Sequence, residues 1–378
     1  MKTDVLIVGG GITGCAMAYF LAQAGVGVVL VEAYDLGTQA SGSNAGSIHA
    51  QLDHSIFADG REAEVKAITP IVPILMAGIE FWKRMEKELD EDFELEILGG
   101  LLVTDKPEQM VTIERKVAYE RSIGLDIEVL DAAGVREVAP YVSEKMVGGA
   151  LCPIEGEANA LVVVPAFARA AAGLGAHILT GTNLTGVTRS ATGFTAETTR
   201  GPIRADTIVN AAGAGGGDVS RMLGIDLPIF GEPIQVSVTE PAAPLVHHLV
   251  YYAAGKLTLK QSKRGALIIG GGWSSRFNPA GRLEIRADSL RENLRICQHV
   301  VPKSGSIRVI RTWPAIVNDT RDMLPILGEV PGVPGYYVAS FPRMGFTGGP
   351  ISGSIVANMI LGKPQNLDVS AFSPARFL

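Results

Sequence analysis

Cysteine is scarce. The 378 residues hold three, Cys15, Cys152 and Cys297, far apart and with no C-x-x-C pair. An odd count at such spacing argues against a disulfide framework and a structural zinc site, and fits a reducing compartment. Basic charge is not concentrated either. Lysine plus arginine number 33 against 39 acidic residues, the net charge is −6, and no basic block stands out. Nucleic-acid binding therefore has little electrostatic support. Long apolar runs are missing too. The longest uncharged stretch, Met344 to Gly362, contains Pro350, Asn358 and several Gly and Ser, so it reads as a buried loop and helix rather than a membrane span. The first apolar run begins at Val5, which leaves no room for a signal peptide, and a cytoplasmic location is expected. Aromatics make up only 6% of the chain, whereas glycine reaches 45. That balance suits an α/β protein with many tight strand–helix turns. With 47% hydrophobic residues, a chain of this length exceeds one ordinary core, so two domains or one elaborated domain are expected.

What is present starts with "VLIVGGGITGCAMAYFLAQAGVGVVLVE", Val5 to Glu32. Val5 to Val8 is a continuous apolar run, as in a parallel strand covered on both faces. Gly9 to Gly14 fits G-x-G-x-x-G. Cys15 to Ala24 reads as a helix ended by Gly25, and Val28 to Val31 as a second strand closed by Glu32. The first glycine makes the turn, the second lets a pyrophosphate approach the backbone, and the third lets helix and strand pack closely. Free N–H groups at the helix N-terminus suit the phosphates. An acid after the second strand accepts ribose hydroxyls and argues against a 2′-phosphate. A dinucleotide site is the reading; this motif alone does not separate FAD from NAD.

Two further segments do. Gln39 to His49, "QASGSNAGSIH", is a loop of small residues after the second strand; small residues let backbone lie against a flat ring. Near the other end, "FPRMGFTGGP" at Phe341 to Pro350 is a second glycine-rich loop, feeding a helix expected from about Ile351 to Leu361. With these go "GIEFWKRMEKEL" at Gly78, "GGLLVTD" at Gly99, "LDAAGVREVAP" at Leu130, "DTIVNAAGA" at Asp206 and "TWPAIVNDTRDMLPILG" at Thr312. In this order and spacing the chain resembles the FAD-dependent amino-acid and amine oxidoreductases, the glycine oxidase, sarcosine oxidase and D-amino-acid oxidase family, with opine-oxidase, cyanide-synthase and hydroxyproline-dehydrogenase flavoproteins closest in look.

The resemblance implies an α/β chain (α+β overall). A Rossmann-like FAD domain would take 1–90, 150–225 and 318–378. A discontinuous substrate domain on a mixed sheet would take 91–149 and 226–317. It implies non-covalent FAD. Gly9, Gly11, Ile12, Thr13 and Gly14 would hold the pyrophosphate, Glu32 with its neighbour Ala33 the ribose, and Leu184 the adenine. Ser41, Gly42, Ser43, Asn44, Gly46 and Ser47 would border the ribityl chain and the ring. Ala212 and Gly213 would cap the third strand, and Met344, Gly345, Phe346, Thr347 and Gly348 would approach the pyrimidine end. Independently, "FTAETT" to "ADTIVNAAG" reads as a hairpin feeding an apolar strand, and Ile234–Val238 and Leu257–Lys260 alternate like half-buried strands.

Since the flavin carries the hard step, no nucleophile or carboxylate pair is needed. The protein must position a C–H bond, favour a neutral amine and stabilise negative charge. The implied partners are a small amino acid or amine and oxygen or another electron acceptor, with a homo- or hetero-oligomer left open. Arg343 is the candidate carboxylate anchor. His49, after the flavin loop, is a candidate for tuning amine or flavin, with a packed histidine as the alternative. Lys260 and Gln261 are candidate substrate contacts; His247 and His248 are expected at the surface, and no metal site is expected. Departures from the family pattern matter. Glycine oxidase places an arginine four residues after a tryptophan; after Trp313 that slot holds Val317, which favours a larger or N-substituted amino acid over glycine. The cysteine through which monomeric sarcosine oxidase attaches FAD has no counterpart. The slot of that enzyme's oxygen-activating lysine holds Ile268. Readings that compete are an electron-passing dehydrogenase component, a flavin-binding partner without catalysis, and an NAD-dependent dehydrogenase, for which the C-terminal glycine segment has no task.

Overall fold

The computed structural model describes residues 1–57 and 61–378. Its first strand, β1 (Lys2–Val8), runs straight into the glycine turn, helix α1 (Ile12–Gln23) and strand β2 (Val28–Val31). β1 lies at the centre of an eight-stranded sheet. On one side are β2 and His177–Leu179; on the other are Ile203–Asn210, Tyr336–Ser340 and Ile326–Glu329. All these pairings are parallel except the last, at the edge. A hairpin, Leu184–Ser190 and Gly193–Thr198, extends antiparallel from Ile203–Asn210. The continuous apolar runs are explained by burial on both faces. Val5, Ile7, Val28 and Leu30 join a core with α1 and the helices Ile71–Glu88, Ala160–Gly173 and Gly345–Ile360. Leu6, Val8, Val29 and Val31 join a second core under the hairpin.

The other large sheet also has eight strands, in the order Val309–Thr320, Ile229–Pro241, Ala266–Ser274, Thr258–Gln261, Leu249–Tyr252, Gly100–Thr104, Gly148–Cys152 and Glu128–Asp131. It is antiparallel throughout except between Leu249–Tyr252 and Gly100–Thr104, so it is mixed, as expected. Helix Ala287–Val300 packs on it through Ile296, Cys297 and Val300. The boundaries expected at 150 and 318 fall inside the strands Gly148–Cys152 and Val309–Thr320, so backbone hydrogen bonding runs through them.

Two expectations need correction. The segment "GFTGG" is not a loop before a helix: the helix begins at Gly345 and includes it. Its glycines answer to packing. A Cβ on Gly348 would lie 2.2 Å from the Phe341 ring, and on Gly349 and Gly353 2.8 and 2.7 Å from Oγ1 and O of Thr13. Close helix approach outweighs the poor helix propensity of glycine here. Likewise, the first loop holds one helical turn, Ala40–Ser43, before Ser47–Ile48 pairs with Gly156–Glu157. Among the described residues no single helix is long and apolar enough to cross a membrane.

Candidate active site

The glycine turn is built as its spacing predicts. Gly9 has φ +113°, and a Cβ there would lie 2.4 Å from Ala211 O and 2.9 Å from the Cα of Ala212. A Cβ on Gly14 would lie 2.0 Å from Gly9 O. On Gly11, at the N-cap of α1, it would approach only Ser41 Oγ, at 3.0 Å. So the outer two glycines serve the fold, and the middle one keeps backbone open to a ligand. The Glu32 carboxylate accepts from Gly10 N at 2.6 Å and Tyr34 N at 2.9 Å. Ile12 N donates to Ser41 Oγ at 3.0 Å. Thr182 N donates to Glu32 O at 2.8 Å, which brings the start of the Leu184 strand beside β2. The structure thus gathers Gly9, Gly11, Ile12, Thr13, Gly14, Glu32, Ser41, Leu184 and Ala212 at one end of the parallel sheet. Gly213, with φ +54°, follows Ala212, and Ala33 is exposed beside Glu32.

The loop Gln39 to His49, expected to border the flavin and called the flavin loop for that reason, is held from within. Asn44 Oδ1 accepts from Gly46 N at 2.6 Å, and Asn44 Nδ2 donates to Ser41 O at 2.7 Å. Ser43 O accepts from Trp313 Nε1 at 2.9 Å, which ties the strand Val309–Thr320 to the loop. Gly46 has φ +76°; a Cβ there would lie 2.2 Å from Ala158 O and 3.0 Å from Lys260 Nζ. Ser47 Oγ is buried and has no hydrogen-bond partner among the described residues. His49 N donates to Thr347 Oγ1 at 2.9 Å, and Trp82 Nε1 donates to Thr347 O at 3.1 Å, with its ring 4.8 Å from Phe346. The N-terminal loop and the first turn of the C-terminal helix, Met344 to Gly348, therefore meet. A dinucleotide with a flat ring fits these residues: a glycine at the helix N-cap, an acid at the ribose position, and an orphaned hydroxyl in the ring-side loop.

Around His49 lies a buried polar cluster that pattern reading missed. His49 Nδ1 is 2.7 Å from Tyr251 OH, which donates to Glu155 Oε2 at 3.0 Å. Glu155 also accepts from Ala50 N, Gln51 N and Gln51 Nε2 at 2.6, 2.7 and 2.9 Å. Behind it, Lys116 Nζ donates to Gln51 Oε1 at 2.9 Å and Glu120 Oε2 at 2.6 Å. Lys260 is buried and pairs with Glu157 at 3.3 Å. Burial pushes the Lys260 ammonium down to about 8 against the pull of Glu157, and pushes the Glu157 carboxyl up. Burial also lowers His49, with Glu155 opposing and Lys260 adding to the effect.

Two of the four substrate-contact candidates already have partners within the chain. Gln261 is consumed by the neighbouring loop and turn: Nε2 is shared among Ala242 O, Ala243 O and Gly265 O, while Oε1 accepts from Leu245 N and Val246 N. Its amide is a structural clamp. Arg343, with φ +51°, pairs with the buried Asp319 and with Glu232, so its charge is already matched. His248 Nδ1 meets Tyr141 OH at 2.8 Å, and His247 is exposed. Lys260 and His49 remain beside the flavin loop. Lys260 stands directly across from Ile268 in the strand pairing. Among the described residues no three His, Cys, Asp or Glu side chains group as metal ligands. The three cysteines are buried and free.

Comparison with known proteins agrees with this geometry. The chain is 26% identical over 383 residues to a glycine oxidase of Geobacillus kaustophilus, covering 100% of this chain and 98% of that protein. It is 28% identical to the beta chain of a sarcosine oxidase from an Arthrobacter species, covering 99% and 91%. The crystal structure of the Geobacillus kaustophilus glycine oxidase superimposes with a TM-score of 0.87, covering 100% of this chain and 99% of that one. The model of the FAD dependent oxidoreductase family, DAO, matches residues 4–359. With that match over nearly the whole chain, and a glycine turn, acid and ring-side loop in place to receive the cofactor, the protein belongs to the FAD dependent oxidoreductase family.

Proposed function

We propose that the protein oxidises the C–N bond of a secondary or primary α-amino acid, with an N-substituted, glycine-like amino acid as the preferred class. The imine formed then hydrolyses to an oxo acid and an amine. Bound FAD supplies the two-electron acceptor. The observation that carries the reading is the meeting of the two terminal segments at His49 and Thr347, which sets an imidazole and a buried lysine beside the flavin loop. These groups favour a neutral amine and a developing negative charge. Positioning by rigid neighbours accounts for much of the remaining acceleration. Relatives named as a glycine oxidase and as the beta chain of a sarcosine oxidase align over nearly all of this chain, which supports an amino-acid or amine substrate. The half-buried Val317 on its strand supports the larger member of that class over glycine.

A second reading is the flavoprotein component of an opine or D-hydroxyproline dehydrogenase that passes electrons to a partner. It is favoured by relatives named as one chain of a larger enzyme, among them a component of the opine oxidase of Rhizobium meliloti, 24% identical over 387 residues; Ile268 in the slot of the oxygen-activating lysine is compatible with either reading, since glycine oxidase also lacks that lysine. Product analysis tests both. With sarcosine, iminodiacetate, D-proline, opines and glycine supplied in turn, release of an oxo acid and an amine from an N-substituted substrate ahead of glycine is expected. Faster turnover with glycine would overturn the substrate class. Rapid reduction of a dye with slow consumption of oxygen would select the dehydrogenase reading.

A further inference from the structure

We propose that Glu155 and Tyr251 are positioning residues that fix His49 with its proton on Nδ1, leaving Nε2 as the base that takes a proton from the substrate ammonium. This rests on the amino-acid reading above for its substrate, but not for its geometry.

The direction of each hydrogen bond is set by what its partners can do. Lysine only donates, so Lys116 Nζ, 2.9 Å from Gln51 Oε1, turns the Gln51 amide with its NH2 toward Glu155. Glu155 then receives two backbone N–H groups, one amide N–H and the Tyr251 hydroxyl, which is the work of a carboxylate. Tyrosine has one hydroxyl proton, and Glu155 takes it. The Tyr251 oxygen therefore accepts from His49, so the proton on His49 sits at Nδ1, 2.7 Å away. Gly100 is shaped to this arrangement: a Cβ there would fall 1.6 Å from Glu155 Oε2. Gln51 and Leu52 hold their backbone on the same cluster, Leu52 N donating to Glu120 Oε1 at 2.7 Å.

His49 is half-buried, and its Nε2 has no hydrogen-bond partner among the described residues; it is also absent from the buried orphan atoms there. It is open to a molecule arriving beside the flavin loop. In the step, the substrate N–H bond breaks, its electron pair stays on nitrogen, and a new N–H bond forms at Nε2. No oxidant is involved, and the amine is left neutral for the oxidation that follows. The imidazolium is steadied by Tyr251 and the Glu155 charge beyond it, the general logic of a base oriented by a third group. The groups facing His49 are Glu155 and Tyr251, then Lys260 with Glu157, with Lys116 and Glu120 behind Gln51. Burial holds the ring below the usual histidine range, so it is neutral and ready at pH 7.

Two readouts test this. In the flavin-loaded protein, 15N NMR of labelled histidine, assigned with His49→Ala, should show His49 protonated at Nδ1 and not at Nε2, and Tyr251→Phe should abolish that preference. A wild-type signal protonated at Nε2 would overturn the proposal whether or not any amino acid is a substrate. In anaerobic reduction, His49→Ala should slow flavin bleaching by ~100-fold at pH 7 and recover above the pKa of the substrate amine, where no base is needed; Tyr251→Phe should show a smaller loss with the same recovery. An unchanged rate at pH 7, or an equal loss at every pH, would contradict the base role.

Discussion

At the scale of single residues, the cations divide by what they already hold. Arg343 sits between Asp319 and Glu232, and Asp319 is 2% exposed. Arg343→Ala leaves that carboxylate without its cation, which costs about 1–3 kcal/mol. The melting temperature should fall, with KM for carboxylate substrates changed little; a large rise in KM at unchanged stability would return Arg343 to the substrate. Lys260 differs, since it lies against Gly46 in the flavin loop. At pH 7, below its value of about 8, it is charged and favours the reduced flavin. Lys260→Met should lower the flavin reduction potential by about 30 mV or more, or ~1.4 kcal/mol for a two-electron couple. The gap should close as pH rises past about 8 and the wild-type lysine loses its charge. Equal potentials at pH 7 would place Lys260 outside the flavin's field. Gln261 shows why such residues are hard to read in sequence. A polar side chain on a strand looks free until the loop at 242–246 is seen to fold back on it.

At the scale of elements, glycine spacing is legible where a short-range rule governs it. Gly9, Gly11 and Gly14 stand within one strand–turn–helix unit, and their spacing follows from that unit, although Gly9 also clears Ala211 and Gly11 faces Ser41. Gly348, Gly349 and Gly353 answer to Phe341 and to Thr13. The second contact joins opposite ends of the chain, so a glycine-rich stretch reads as loop in sequence when it is a helix packed on α1. Gly349→Val drives a side chain toward Thr13 Oγ1 and Ile12, displacing the first turn of α1. The variant should purify with substoichiometric flavin and lowered thermal stability, measured by absorbance and by thermal unfolding. Full flavin content at wild-type stability would show that α1 does not depend on this packing.

At the scale of the whole molecule, the parallel sheet and its dinucleotide end are legible because they rest on local apolar runs and one motif. The polar cluster is not. His49, Glu155 and Tyr251 lie on three distant segments, and the pairing of Leu249–Tyr252 with Gly100–Thr104 and of Ser47–Ile48 with Gly156–Glu157 helps bring them together. These parts meet in one claim: the ring enclosed by the two terminal segments is reduced by an amino acid held beside His49. The most direct measurement is the visible spectrum of the purified yellow protein mixed without oxygen with sarcosine, iminodiacetate, D-proline, opines and glycine. Loss of the flavin band with an N-substituted amino acid, faster than with glycine, is predicted; a band that survives every amino acid and amine offered would contradict the account.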